Sequence, residues 1–451
     1  MGRYVLLFMF IITGFFTSAQ GVKDRIEKAF KLFENDEQLS NAISSFYVIE
    51  AESGKVVFDM NSRTGLAGAS TQKVITAATA FDVLGKDFKY KTTITRKGDL
   101  LFVNGAGDPT LGSDRYGGTK EKLIFQRILD ECKKAGLRNI KEFNVRSETE
   151  DLIPPGGWIN DDLGNYYGAG SQTLNWKENQ YDLVFIPGKK SGDTTKIDSI
   201  KTTYAFWDQI INHCKTGPAG SGDNAYIYFI PAYEKILVKG TIPAGPERFT
   251  IAGSDPWPAL SMEKSFYDFA GGFVLDGTNK GVSQDITEVR LMDIYSPSLD
   301  SISYWFLKKS INLYGEALIK TIGLQRKNSV ETDSGVSAVR EFWKEKGIDP
   351  NELNIYDGSG LSPLNRLTTH AQVEVLRYAR TQPWFNSYFA GFPEYNGMKI
   401  KSGTISDVKG FCGYHTSKEG KTYIFSFLVN NYNGKSSTLV AKMFRVLDEL
   451  K

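Results

Sequence analysis

The chain has 451 residues, with 54 lysines and arginines against 52 aspartates and glutamates, so its formal net charge is +2. Aromatic residues make up 13 % of it and charged residues 24 %, which is typical of a folded protein and argues against a disordered one. Because the charge is close to zero, nucleic acids and anionic membrane surfaces are poor partners. The length indicates two or three domains.

Histidine and cysteine are too rare and too scattered for a zinc cluster of closely spaced ligands. The histidines stand at positions 213, 370 and 415, and the cysteines at 132, 214 and 412. We therefore expect no metal and no other cofactor. The sequence leaves two alternatives: a disulfide between Cys132 and Cys214, or three reduced and buried cysteines. Cys412 lies in a predicted core strand, where it would pack.

The N-terminus has the pattern of a signal peptide, residues 1–19. Arg3 supplies a positive charge, residues 4–16 are apolar, and residues 17–19 (Thr-Ser-Ala) offer a cleavage site. The apolar run is shorter than the ~20 residues that a membrane-spanning helix needs. No later segment is apolar enough to span a bilayer. The sequence therefore predicts an exported, periplasmic protein and leaves a loose association with the membrane open.

The first part of the chain predicts a hairpin followed by a buried helix. Apolar runs at 43–49 and 56–60 flank a turn sequence, Glu-Ser-Gly-Lys at 52–55. Ser70 then opens a segment with apolar residues at helical spacing and small residues between them, which indicates a buried helix. Residues 87–103 predict two more strands.

The middle of the chain, residues 105–290, is predicted to be an inserted, β-rich region, because short strand-like runs alternate with Gly/Pro/Asp clusters. These runs cover 181–186, 226–230 and 235–238. After the insertion, the pattern predicts helices at 296–322 and 336–346, strands at 399–404 and 421–429, and a closing amphipathic helix at 437–450.

Ser70-Thr71-Gln72-Lys73 is an S-x-x-K motif at the start of the predicted buried helix. The spacing places Lys73 one turn after Ser70, where a desolvated and partly neutral lysine can accept the proton of the serine. Two other S-x-x-K matches begin at Ser261 and Ser406. We reject them because neither is expected to begin a buried helix.

Ser310-Ile311-Asn312 is the only S-x-N in the sequence. Its hydroxyl can relay a proton and its amide can hold a substrate amide. Alone, the motif would be explained as a helix-capping serine beside a polar asparagine.

Lys401-Ser402-Gly403 is a K-S-G in a predicted strand. The lysine offers a positive charge to a carboxylate, and the glycine would let a substrate lie against the strand. The N–H of the next residue, Thr404, can join that of Ser70 in an oxyanion hole. A K-T-G at 215–217 is rejected because it precedes the S-x-N and runs into a Pro/Gly-rich segment that cannot continue a strand.

The order S-x-x-K, S-x-N, K-[ST]-G marks penicillin-recognising serine acyl enzymes. No G-x-S-x-G occurs, and three scattered histidines make a Ser-His-Asp triad a poor competitor.

The segment 158–169 (Trp-Ile-Asn-Asp-Asp-Leu-Gly-Asn-Tyr-Tyr-Gly-Ala) lies between the first two motifs. With it, the chain resembles the class C low-molecular-mass penicillin-binding proteins, D-alanyl-D-alanine carboxypeptidases/endopeptidases of the penicillin-binding protein 4 type. The likeness also covers residues 107–111, 295–299, 312–318 and 357–362. It therefore extends over nearly the whole mature chain.

The resemblance implies an α+β fold. A penicillin-binding/β-lactamase-like transpeptidase domain, an antiparallel sheet flanked by helices, would carry a large β-rich inserted domain that is itself interrupted by a small domain. The expected pieces are 20–100 and 285–451 for the catalytic domain, 101–180 and 245–284 for the inserted domain, and 181–244 for the small nested domain.

The resemblance also implies the roles of the site residues. Ser70 would be the acylated nucleophile, Lys73 its general base, Ser310 the proton shuttle and Asn312 the ligand of the substrate amide. Lys401, with Ser402 and Thr404, would hold the terminal carboxylate, and Gly403 would let the substrate lie against the strand. Trp158, Asp161 and Tyr166 match positions that approach the side chain of the stem peptide's third residue, where a carboxylate facing a free ammonium suits meso-diaminopimelate.

Four positions depart from the family pattern. Gly68 stands where proline is usual, Ile311 replaces an aspartate, and Ser402 replaces a threonine but keeps its hydroxyl. Pro363 stands where relatives commonly carry an arginine that clamps the substrate, which leaves the third-residue specificity open. Arg366 is the candidate replacement.

The leading hypothesis is a periplasmic serine D-Ala-D-Ala carboxypeptidase that acts on peptidoglycan stem peptides, with activity on cross-bridges left open, and that β-lactams inhibit covalently. The alternatives are a serine β-lactamase and a non-catalytic penicillin-binding or cell-wall-binding protein. No residue can be assigned as an extra deacylating glutamate, and the large insertion is foreign to β-lactamases.

Overall fold

A computed structural model describes residues 21–137, 139–148, 153–201, 209–230, 235–273 and 287–451. The predicted signal peptide lies outside the described residues. Across these ranges, no helix combines the length and the apolar character needed to cross a membrane.

A six-stranded antiparallel sheet forms the centre of the larger part of the chain. In spatial order its strands are β16 (Glu394–Tyr395), β17 (Met398–Ile405), β18 (Val408–Thr416), β19 (Thr422–Asn430), β1 (Ile43–Glu50) and β2 (Val56–Met60). The predicted hairpin is β1–β2. Because β1 also pairs with β19, the two ends of the chain close one sheet.

Helices cover both faces of this sheet. On one face lie α1 (Val22–Glu34) and α11 (Ser436–Leu447), and on the other α2 (Lys73–Leu84), α6 (Leu299–Lys309), α7 (Asn312–Lys327), α8 (Thr332–Glu345), α9 (Thr369–Arg380) and α10 (Phe385–Ala390). Each face of the sheet has its own hydrophobic core, the first under α1 and α11 and the second under the helices of the other face. Successive side chains of β1 point to opposite faces, so Phe46 and Val48 belong to the first core and Tyr47 and Ile49 to the second. The predicted α+β class, an antiparallel sheet flanked by helices, is confirmed.

Helix α2 runs through the second core. Every residue from Lys73 to Phe81 is buried, as expected for a helix in which apolar and small residues occupy most positions. A 3₁₀ turn, Ala69–Gln72, leads into it. The helix therefore carries Lys73 into the protein and leaves Ser70 at the rim.

The first sheet of the inserted region has four strands. In spatial order they are β13 (Val289–Tyr295), β3 (Lys91–Lys97), β4 (Leu100–Asn104) and β5 (Glu142–Arg146), packed against α3 (Glu121–Lys134) and α5 (Pro258–Ala270). The division of the chain at residues 100 and 285 stays a prediction. Strand β3 pairs with β13 on one side and with β4 on the other, all within this sheet.

The remaining strands lie mostly within the predicted nested segment. They are β6 (Gln180–Ile186), β7 (Lys196–Lys201), β8 (Ile210–Asn212), β9 (Lys215–Gly217), β10 (Asn224–Ile230), β11 (Lys235–Pro243) and β12 (Phe249–Ser254), besides a small pair formed by β14 (Leu353–Asn354) and β15 (Arg366–Leu367). Strand β12 pairs with β6, so this unit continues past residue 244.

All three cysteines are free and buried. Cys132 belongs to the core under α3, whereas Cys214 belongs to the separate core of the nested strands. The disulfide that the sequence left open is therefore not formed. Cys412 packs in β18, as expected.

Candidate active site

A cleft of about 620 Å³ lies between the six-stranded sheet domain and the inserted region. Of the predicted site residues, six line it: Ser70, Ser310, Asn312, Thr404, Asp161 and Tyr166. Lys73 and Lys401 lie directly beneath its surface, where each touches one of the two serines.

Lys73 Nζ has three oxygen neighbours. It lies 2.9 Å from Ser70 Oγ, 2.6 Å from Asn312 Oδ1 and 2.7 Å from the carbonyl oxygen of Ser359. The Asn312 amide is fixed at its other end, where Nδ2 donates to the carbonyl of Tyr167 at 2.7 Å. Since that contact uses the Nδ2 donor, the amide oxygen faces Lys73.

Burial lowers the pKa of Lys73 well below its ordinary value, and the charge of Lys401 lowers it further. Asp357 and Glu316 act in the opposite direction. Glu316 lies one turn after Asn312 on α7 and accepts a hydrogen bond from the Gly358 N–H. The lysine beside Ser70 is therefore poised to be neutral.

Ser310 interrupts two helices. It has φ 59° and ψ 37° between α6 and α7, a left-handed conformation that costs a non-glycine residue about 1–2 kcal/mol. The single predicted helical segment at 296–322 is thus two helices. Lys401 Nζ donates to Ser310 Oγ at 2.9 Å, and burial lowers the pKa of Lys401 to about 7.

Strand β17 presents an open edge to the cleft. Ile400 donates its N–H to Pro393 on the side away from β18, and the register is unbroken from Lys399 to Ile405. Because N–H direction alternates along a strand, the N–H of Thr404 points to the same side. The Thr404 hydroxyl accepts a hydrogen bond of 2.7 Å from Lys409 Nζ.

Gly403 has a structural role besides the predicted one. A Cβ at this position would lie 2.4 Å from the carbonyl oxygen of Gly68 and 3.0 Å from the backbone nitrogen of Ser70. The glycine therefore lets β17 approach the turn that carries Ser70, and the space that it would give to a substrate stays a prediction. Ser402, on the opposite face of the strand, is half-buried and does not line the cleft.

Trp158 also has a structural role besides the predicted one. It is buried, and its indole N–H donates to Asp357 Oδ2 at 2.9 Å. The same carboxylate accepts from the backbone N–H groups of Gly360 and Ser362, both at 2.7 Å. Trp158 thus fixes the loop 357–362, which supplies the Ser359 carbonyl to Lys73, and it does not line the cleft.

Asp161 and Tyr166 line the cleft next to a second acid that the sequence analysis did not single out, Asp162. The acids lie on the short helix α4 (Asn160–Leu163). Burial raises the pKa of Asp162 to about 6, and the neighbouring charge of Asp161 contributes. Two adjacent carboxylates beside exposed tyrosines can hold a cation.

Arg366 does not replace the missing arginine. Its Nη1 donates to the carbonyls of Pro363 and Asn365, at 2.6 and 2.8 Å, and the side chain lies outside the cleft. Pro363 itself lines the cleft. Elsewhere in the described ranges, no three His, Cys, Asp or Glu side chains are placed to hold a metal ion.

The two rejected serines lie in different settings. Ser261 is in helix α5, contrary to the expectation that this segment is irregular, because Pro258 starts the helix at its first position. The serine is buried against Asp255, and Lys264 pairs at the surface with Asp268. Ser406 lies in the β17–β18 turn, as expected.

The rejected K-T-G forms β9, a strand of only three residues. It pairs with β11 in the nested sheet and ends directly before Pro218. None of its residues lines the cleft.

The chain is similar in sequence to two known D-alanyl-D-alanine carboxypeptidases. The chain is 26 % identical to the D-alanyl-D-alanine carboxypeptidase of Actinomadura sp. (strain R39) over 449 residues, which cover 90 % of this chain and 81 % of that protein. It is 23 % identical to the D-alanyl-D-alanine carboxypeptidase DacB of Haemophilus influenzae, over 84 % of this chain and 83 % of that protein.

The fold matches the crystal structure of penicillin binding protein 4 from Haemophilus influenzae with a TM-score of 0.75 at 18 % identity, covering 94 % of this chain and 98 % of that chain. The model of the D-Ala-D-Ala carboxypeptidase 3 (S13) family matches residues 27–450. This match, together with the two relatives above, confirms the resemblance seen in the sequence. The chain therefore belongs to this family of serine peptidases.

Proposed function

We propose that Ser70 is the nucleophile of a D-Ala-D-Ala carboxypeptidase reaction on peptidoglycan stem peptides, and that Lys73 is its base. One observation carries the proposal: three oxygen atoms surround the buried Lys73 Nζ. As an ammonium, Lys73 donates to all three, the carbonyl oxygens of Asn312 and Ser359 at 2.6 and 2.7 Å and Ser70 Oγ at 2.9 Å. When the lowered pKa of Lys73 leaves the amine neutral, only Ser70 among the three has a hydrogen to donate, so the lone pair faces its hydroxyl.

In the acylation step, Ser70 Oγ forms a bond to the carbonyl carbon of the penultimate D-Ala, and Lys73 takes the hydroxyl proton. The N–H groups of Ser70 and Thr404 stabilise the oxyanion. As the C–N bond breaks, Ser310 passes its proton to the amine of the leaving D-Ala and takes one from Lys401. In hydrolysis, water bonds to the acyl carbon and its proton returns through Ser310 to Lys401. Lys73 returns its proton to Ser70 Oγ as the ester C–O bond breaks, which restores Ser70 and releases the shortened peptide.

Lys401 and Thr404 would hold the terminal carboxylate of the substrate. Asp161, Asp162 and Tyr166 would hold a free ammonium on the third residue, as in meso-diaminopimelate. β-Lactams would acylate Ser70 in the same way. A related structure, penicillin binding protein 4 of Haemophilus influenzae, is complexed with a β-lactam. We also propose that the protein is exported to the periplasm.

The test is release of D-Ala from a stem pentapeptide by the mature protein, with and without prior treatment with penicillin. Lys73→Met should abolish release. The matched control is Lys264→Met, which removes the lysine of a rejected S-x-x-K motif and should leave release intact. Release that survives Lys73→Met contradicts the proposal.

The same preparation separates the alternatives. A penicillin label that is lost within seconds would indicate a β-lactamase, and a stable label without D-Ala release would indicate a binding protein. Cleavage of a cross-linked dimer, measured in parallel, establishes endopeptidase activity.

A further inference from the structure

One guanidinium group in the cleft has no part in this mechanism. Arg115 lines the cleft together with Ser310 and Asn312. Its Nε donates to both carboxylate oxygens of Glu178, at 2.8 and 3.1 Å, and its guanidinium lies 5.6 Å from the ring centre of Trp305. Among the described residues, its two terminal nitrogens have no hydrogen-bond partner.

The carboxylate that holds Arg115 is itself fixed from several sides. Glu178 is buried, and it also accepts hydrogen bonds from Ser113 Oγ and Tyr314 Oη, both at 2.8 Å. Tyr314 lies on α7, two positions after Asn312. Arg115 is therefore tied to the helix that carries the S-x-N motif.

The backbone at Glu178 is strained. Lys177, Glu178 and Asn179 have φ values of 51°, 59° and 49° in succession, in the left-handed region that lysine and glutamate rarely adopt. The Asn179 side chain stabilises this turn by accepting from Trp176 N and donating to Gly170 O, both at 3.0 Å. Such strain persists at sites that need a fixed geometry. Here it places the carboxylate that orients Arg115.

We infer that Arg115 binds a free carboxylate of the stem peptide other than its terminal one, and this inference rests on the proposed function. Two parallel N–H donors of a guanidinium match the two oxygens of a carboxylate. Asp161 and Asp162 line the same cleft and would repel a polyanion, but they suit a ligand that carries an ammonium as well as a carboxylate. Arg115 thereby supplies the cation that Pro363 and Arg366 do not.

The ligand carboxylate has two sources in a stem peptide, the second and the third residue. Four pentapeptides distinguish them: one with both carboxylates free, one with each amidated in turn, and one with both amidated. Arg115→Gln should lower kcat/KM for D-Ala release from the free peptide about 10- to 100-fold, the range of a lost charged hydrogen bond. The loss should vanish when the bound carboxylate is amidated, which identifies it.

Arg366→Gln is the matched control, because its side chain lies outside the cleft, and it should leave all four rates unchanged. Arg115→Gln also removes a partner of the buried Glu178. Arg115→Lys is therefore tested beside it, since a lysine keeps a positive charge there but lacks the two parallel N–H donors of a guanidinium. Thermal unfolding is recorded for both variants.

An equal loss on the doubly amidated peptide, or no loss on the free peptide, overturns the inference. Neither result bears on Ser70, because penicillin labelling and D-Ala release by the unchanged protein test the proposed function separately.

Discussion

Lys73 and Asn312 lie 239 positions apart in the sequence and are joined by a hydrogen bond of 2.6 Å from the amine to the amide oxygen. The Ser359 carbonyl oxygen lies 2.7 Å from the same amine. Since neither carbonyl oxygen can donate, the lone pair of a neutral Lys73 is left for Ser70. The charge state of Lys73 also depends on the buried carboxyl groups of Asp357 and Glu316, which raise its pKa.

Glu316 is one of these two groups. Its carboxylate raises the pKa of Lys73 against the lowering effect of burial. Burial and the charge of Asp357 raise the pKa of Glu316 itself to about 8, so below that pH the side chain is mostly neutral. Glu316→Gln keeps a neutral oxygen for the Gly358 N–H, and the acidic limb of the rate of penicillin acylation should therefore keep its position. Glu345→Gln, at the surface of α8, is the control, and an acidic limb that moves to lower pH by about one unit in Glu316→Gln would contradict this account.

Gly403→Ala tests the approach of β17 to the nucleophile. The added methyl would lie 2.4 Å from the Gly68 carbonyl oxygen, so either the strand or the turn must move. We expect a loss of stability of about 1–3 kcal/mol from overpacking. Acylation should slow about 100-fold, because the oxyanion donors separate.

The control is Gly118→Ala, where a Cβ meets nothing within 4 Å. Stopped-flow acylation and denaturant unfolding measure the two effects. A Gly403→Ala protein with the original acylation rate would show that the close contact does not position Ser70.

Trp158→Phe separates a positioning role from the substrate contact that the sequence suggested. Loss of the indole donor leaves Asp357 Oδ2 with one partner fewer and should cost about 1–3 kcal/mol of stability. Because the loop 357–362 serves Lys73, peptide turnover and penicillin acylation should fall by similar factors. A loss confined to the peptide would restore Trp158 to substrate recognition.

The acids of α4 should make peptide binding depend on pH. The pKa of Asp162 is about 6, so its negative charge is present above that pH and is lost as the pH falls below it. KM for a peptide with a free third-residue ammonium should therefore rise below pH 6. Asp161→Ala should raise KM for the same peptide about tenfold at neutral pH, as for a lost charged hydrogen bond. Acetylating the ammonium should remove both effects, and their persistence would contradict the assignment.

The motif residues could be predicted because each motif combines residue types and spacing within a few positions of the sequence. S-x-x-K on a helix places Lys73 beside Ser70 by spacing alone, and the order of three motifs selects Ser310 and Lys401 among several matches. The Ser359 carbonyl could not be predicted in this way, since a backbone acceptor has no residue signature. Arg115 depends on the position of Glu178, which the fold brings to it from 63 positions away.

Two predicted substrate contacts, those of Trp158 and Gly403, stay predictions, and both residues also contact the protein itself. Trp158 donates to the buried carboxylate of Asp357, and Gly403 lies against the backbone carbonyl of Gly68. Such tertiary contacts have no signature in the sequence. The helix at Ser261 was missed because the surrounding Gly and Pro residues suggested irregular structure, although Pro258 is a recognised helix-start signal.

The most direct test of the central claim is to identify the residue that penicillin acylates. Mass spectrometry of the digested, labelled protein should locate the adduct on Ser70, and Ser70→Ala should carry no label. An adduct on Ser261 or Ser406, or labelling that persists in Ser70→Ala, would contradict the mechanism.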